Sequence, residues 1–150
     1  MKILFVCTGN TCRSNMAEAI FNYISHLDNV QATSAGLSIV PFSLASKHTA
    51  KLLKDNYDID ISNRQAVQLT KEMLMEADLV LTMTSHMKNV IVMNFPQFNE
   101  KVHSLREFVG NEGDVVDPFG GNIDVYSQTF EMIKEDILSL VDKIKRDTSS

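Results

Sequence analysis

Residues 2–7, Lys-Ile-Leu-Phe-Val-Cys, hold five consecutive apolar positions. A short unbroken run of that kind predicts a strand covered on both faces. After a polar turn the spacing changes. Met16, Ile20, Tyr23, Ile24 and Leu27 recur at helical intervals and predict an amphipathic helix over residues 14–27. Residues 30–34 predict a second strand, closed by Ala35-Gly36. A helix follows over 44–57, with Ala45, Thr49, Leu52 and Leu53 on one face, and a shorter one over 70–76. Residues 77–83 predict a third buried strand, 85–94 a helix and 102–105 a short fourth strand. Residues 110–121, rich in Gly and Asp with one Pro, read as loop. Phe130, Ile133, Ile137, Val141 and Ile144 define a last helix.

Strands alternating with helices imply an α/β domain whose parallel sheet is flanked by helices on both faces. Ligands of such sheets bind beyond the carboxyl ends of the strands, so the turn after the first strand is the place to look. The chain shows no repeat, low-complexity tract or linker, and reads as one domain over 1–150 with a disordered tail at about 146–150. A chain of 150 residues, 44% hydrophobic, supports its own core without disulfide or metal staples.

A net charge of −5 and a pI near 5.3 argue against nucleic acid, and no polybasic cluster suits an anionic membrane surface. No apolar stretch reaches membrane-spanning length, and the first apolar run is too short for a secretion signal. Cys7 and Cys12, the two cysteines, make neither a zinc set nor a disulfide framework. The expected setting is the cytoplasm, and the expected state a monomer.

Chemistry gathers at Cys7-Thr8-Gly9-Asn10-Thr11-Cys12-Arg13-Ser14. Cys7 ends a buried strand just before a helix N-terminus, whose free N–H groups and partial positive charge stabilise a thiolate. Gly9 and Asn10 tolerate unusual backbone angles, so the loop can curl with successive N–H groups inward as an anion nest. Arg13 adds a planar fork suited to phosphate oxygens, and Ser14 can hydrogen-bond the sulfur. The sum is a phosphate cradle, lined by Thr8, Gly9, Asn10, Thr11, Cys12 and Ser14, with a nucleophile at its base. Backbone dipoles and Arg13 supply the positive potential, so no metal or other cofactor is expected. His26, His48, His86 and His103 are scattered without ligand spacing. Neither G-x-x-x-x-G-K-[ST] nor G-x-G-x-x-G occurs.

A leaving group needs a proton donor on a mobile loop nearby. Of the two acids in residues 113–121, Asp117 fits better than Asp114. Pro118 holds its backbone extended, and Phe119 partly dries the cleft. A reversible Cys7–Cys12 disulfide would protect the nucleophile from over-oxidation; the alternative is that Cys12 packs under the loop. A non-catalytic oxyanion-binding module would use the same cradle, but it needs neither nucleophile nor acid.

The octet 7–14 with Met16-Ala17-Glu18, then Ser34-Ala35-Gly36 and Asp117-Pro118, closely resembles the low-molecular-weight protein phosphatases over the whole chain. The resemblance implies a four-stranded parallel sheet, Cys7 as nucleophile, Arg13 as phosphate clamp and Asp117 as general acid and then base. Asn15 stands where that family usually has proline, which would loosen the loop slightly. Within the family the chain looks most like the bacterial protein-arginine phosphatases, through Thr11 and through residues 117–121 with Asp124 and Tyr126. Phosphorylated proteins are then the partners, and tyrosine phosphatase activity is the alternative. Residues 37–42 and 84–86 are expected to wall the cleft. Arsenate reduction would call for a further cysteine pair, which does not follow Cys12.

Overall fold

The computed structural model describes residues 1–148. Four strands, β1 (Lys2–Cys7), β2 (Gln31–Gly36), β3 (Leu79–Thr82) and β4 (Val102–Ser104), form one sheet in the order β2-β1-β3-β4. Every pairing is parallel. The helices are α1 (Arg13–Ile24), α2 (Lys47–Tyr57), α3 (Lys71–Glu76), α4 (Ser85–Asn94), α5 (Leu105–Phe108) and α6 (Ile123–Thr148), with a 3₁₀ turn at Pro96–Lys101.

β1 lies inside the sheet, which explains its unbroken apolar run. Ile3, Phe5 and Cys7 enter one core, shared with Met16, Ile20 and Phe21 of α1 and Phe130, Ile133 and Ile137 of α6. Leu4 and Val6 enter the other, with Leu74 of α3 and Ile91 of α4. The period of two along the strand thus sends alternate side chains to opposite layers. Burying a side chain such as Phe5 or Phe21 contributes about 1.5–3 kcal/mol.

Several boundaries differ from those the sequence predicts. Residues 44–46 are extended rather than helical, because the chain there is tied on both sides. Ala45 N donates to Arg64 O, Ala66 N to Ser43 O and Ser46 N to Thr11 O. Ser46 then caps α2 by accepting from Thr49 N. β4 stops at Ser104, whose side chain accepts from Glu107 N and starts α5, a helix too short for periodicity to reveal. Residues 146–148, expected in a tail, continue α6, and residues 149 and 150 lie outside the described residues. Among the described residues no helix is long and apolar enough to cross a membrane.

Candidate active site

β1 delivers Cys7 to the carboxyl edge of the sheet, and α1 begins six residues later at Arg13. The turn between them is shaped from outside. Leu37 N donates to Cys7 O at 2.9 Å, Ser38 N to Thr8 O at 3.0 Å and Ser46 N to Thr11 O at 2.8 Å. These carbonyls face outward, which leaves the opposite edges of the peptide planes to face in. Gly36 makes the approach of β2 possible: a Cβ there would lie 2.7 Å from Thr8 O and 3.0 Å from Asn10 N. Asn10 sits in the left-handed region at φ 54°, where Asn is one of the few tolerated side chains.

The Cys7 sulfur is buried, 2.9 Å from Ser14 Oγ, and accepts from Asn10 N at 3.3 Å. Cys12 occupies the N-cap position of α1 but gives it no side-chain cap, so the first N–H groups of the helix stay available to an anion. Arg13 is buried too. Its Nη1 donates to Val115 O at 3.1 Å, and its Nη2 lies 3.7 Å from Asp117 Oδ2. Its Nε is buried without any partner. A stranded donor costs about 1–3 kcal/mol, and an oxyanion in the cradle would complete it.

The cleft over the sulfur measures about 420 Å³. Thr8, Gly9, Thr11, Cys12 and Arg13 line its floor, Ser38, Val40 and Ser43 one wall, Asp117 and Phe119 the other. Residues 84–86, expected as the second wall, are elsewhere. Ser85 N instead donates to Asp114 Oδ1 at 2.9 Å, so this carboxylate is engaged away from the cleft. Asp117 keeps its carboxyl at the mouth, 57% exposed, with Oδ1 accepting from Phe119 N. The Cys12 thiol is pushed up to about 11, first by burial and then by the charge of Cys7. Both cysteines are free.

Asn10 and Ser14 stand behind the cleft rather than in its lining, and both are fully buried. Asn10 Nδ2 donates to Ser14 Oγ, Asn15 Oδ1 and Ser34 Oγ, while its Oδ1 accepts from Val67 N at 2.9 Å. Arg64, which nothing in the sequence singled out, closes this network. Its Nη1 donates to Asn15 Oδ1 at 2.7 Å and to Asn10 Oδ1, its Nη2 to Ser34 Oγ and Glu18 Oε1. Burial raises the Glu18 carboxyl, and Arg64 and the Ser34 hydrogen bonds pull it partly back. Asn15 is therefore no loosening substitution. Its Oδ1 takes two donors that a proline ring could not meet, at the cost of a buried Nδ2 without a partner.

Tyr126 packs under this region with its ring 4.9 Å from His48, and burial raises its phenol. Among the described residues no three His, Cys, Asp or Glu side chains gather as a metal site.

The family described as low molecular weight phosphotyrosine protein phosphatase matches residues 2–150. A protein-arginine-phosphatase of Bacillus subtilis (strain 168) is 43% identical over 98% of this chain and 99% of its own. A low molecular weight protein-tyrosine-phosphatase, PtpB of Staphylococcus epidermidis, is 40% identical over 97% of each chain. The structure of a YwlE arginine phosphatase mutant with a phosphorylated active site serine aligns with TM-score 0.90 and 42% identity, covering 98% of this chain and 97% of that one.

Proposed function

Since this chain belongs to the low molecular weight phosphotyrosine protein phosphatase family, we propose that it hydrolyses phosphoarginine in proteins through a phosphocysteine. Cys7 Sγ attacks phosphorus in line with the P–N bond. The bond's electron pair leaves on the guanidine nitrogen, which takes a proton from Asp117. Water then attacks the phosphocysteine and gives its proton to Asp117, and the thiolate departs toward Ser14 Oγ and Asn10 N. Arg13 and the inward N–H groups hold the phosphoryl oxygens. The observation that carries this is the buried Cys7 sulfur beneath a cleft where the Nε of Arg13 has no partner and Asp117 stands 3.7 Å from the same guanidinium. The phosphorylated active site serine of the YwlE mutant supports a covalent transfer of this type.

Three features favour arginine over tyrosine. Thr11 brings a hydroxyl to the cleft floor, where it can bond the attacking water or the guanidinium. Ser43 Oγ is buried in the wall without a partner and can accept from a guanidinium N–H. Two of the similar proteins are named protein-arginine-phosphatases. The tyrosine alternative draws on the PtpB relative and on Phe119, an aromatic ring 86% exposed at the mouth.

Kinetics on matched phosphoarginine and phosphotyrosine peptides decide between them: kcat/KM is expected to favour phosphoarginine, and Thr11→Ile to move the ratio toward phosphotyrosine. A ratio that Thr11→Ile leaves unchanged would remove Thr11 from the specificity argument. Cys7→Ser is expected to abolish turnover and Asp117→Asn to slow it by roughly 10²–10⁴.

A further inference from the structure

The segment carrying Asp117 is expected from sequence to be a mobile loop, yet it is fastened at Asn111, Glu112 and each of residues 114–116. Asn111 Nδ2 donates to Asp136 Oδ1 at 2.8 Å, and Arg106 Nε donates to Glu112 O at 3.1 Å. Asp136, fully buried on α6, also accepts from Arg106 Nη1 at 3.1 Å. Asp114 accepts from Ser85 N, and Val115 N donates to Met83 O at 3.0 Å. The carbonyl of Val115 takes Arg13 Nη1, and that of Val116 takes the Thr129 hydroxyl at 3.3 Å.

The last of these ties has a specific mechanical meaning. The Val116 carbonyl and the Asp117 nitrogen belong to one rigid peptide plane. Fixing that carbonyl fixes the plane on which the Asp117 side chain is mounted. Thr129 is 1% exposed on α6 and is not among the residues that line the cleft, and its hydroxyl reaches the Asp117 segment through this plane. With Arg13 holding the preceding carbonyl, the phosphate clamp and the proton donor share one backbone support.

We propose that Thr129 is a positioning residue for the proton donor, setting the Asp117 peptide from α6. This rests on Asp117 as the acid of the proposed function and goes beyond it by naming what aims that acid. Without the hydroxyl the plane is free to rotate, the carboxyl drifts from the line of the scissile bond, and proton delivery slows while phosphate binding stays intact.

Thr129→Val keeps the shape of the side chain and deletes only the hydroxyl. The measurement is the rate of leaving-group release in the first turnover, across aryl phosphates whose phenols span a range of acidities, with a phosphoarginine peptide alongside. Poor leaving groups need the proton and good ones do not. The expected result is a loss of about 5- to 100-fold on the poorest leaving groups and almost none on the most acidic phenol, with KM unchanged. Thr129→Ser is expected to restore the wild-type dependence. In an Asp117→Asn background, Thr129→Val should cost nothing further, because two changes acting through one group do not add.

A loss equal for all leaving groups, or one that persists without the Asp117 carboxyl, would make Thr129 purely structural and overturn the proposal, as would no loss at all. If the Val variant fails to fold, Thr129→Ala is judged by the same criteria. Should Asp117→Asn itself leave the leaving-group dependence unchanged, the acid assignment fails first. Should the wild type ignore phosphoarginine, the substrate assignment fails while the aryl series still tests Thr129.

Discussion

The thiol of Cys12 lines the same cleft as Cys7 but is held in its protonated form, since burial and the neighbouring Cys7 charge push it up to about 11. A raised thiol value means that the thiolate appears only as pH climbs toward that value. Native protein treated with iodoacetamide is therefore expected to leave Cys12 unlabelled near neutral pH and to take a label there only as pH approaches about 11. Mass spectrometry showing Cys12 labelled at pH 8 would contradict this. At the same scale, Cys7, Arg13 and their neighbours were legible because they are contiguous, and a single turn needs no tertiary information to be assembled. Arg64 was not legible: it reaches Asn10 across 54 residues of sequence, in a segment without regular structure.

At the scale of elements, the cradle is a joint between β1 and α1 pressed into shape by β2. Gly36, the last residue of β2, is where that pressure acts. Gly36→Ala would put a methyl 2.7 Å from Thr8 O. The backbone must then move by several tenths of an ångström at the turn that carries Cys7. Overpacking of this sort costs about 1–3 kcal/mol. The expected outcome is a fall in denaturant midpoint together with at least a ten-fold fall in kcat/KM, and a variant that keeps wild-type kcat/KM would show that the approach of β2 is not what shapes the loop. The strands and longer helices were readable from their apolar periods. The extended stretch before α2 was not, because bonds to Thr11 and Arg64 override the helical pattern of residues 44–46.

Across the whole molecule, α6 serves both stability and geometry. One face packs Phe130, Ile133 and Ile137 on the sheet, and Thr129 and Asp136 fasten the Asp117 segment. Phe130 is 1% exposed, with its ring 5.9 Å from that of Tyr57. Phe130→Ala is expected to cost about 3–5 kcal/mol, a large part of the roughly 5–15 kcal/mol that holds a domain together. Thermal unfolding should register this as a clear drop in Tm. Activity of the remaining folded fraction at 25 °C should change less than it does in Gly36→Ala, since Phe130 is not among the residues that line the cleft.

The order of strands and helices, the two-sided burial of β1 and the turn from Cys7 to Ser14 are local consequences of the sequence, set by side-chain period and by adjacent residues in one turn. The strand order β2-β1-β3-β4, the Arg64 network behind Asn10, the wall formed by Asp117 and Phe119 and the fastening of that wall to α6 were decided only by the tertiary fold. Each joins groups tens of residues apart, and no local preference encodes which distant donor will meet which buried acceptor once the core has closed.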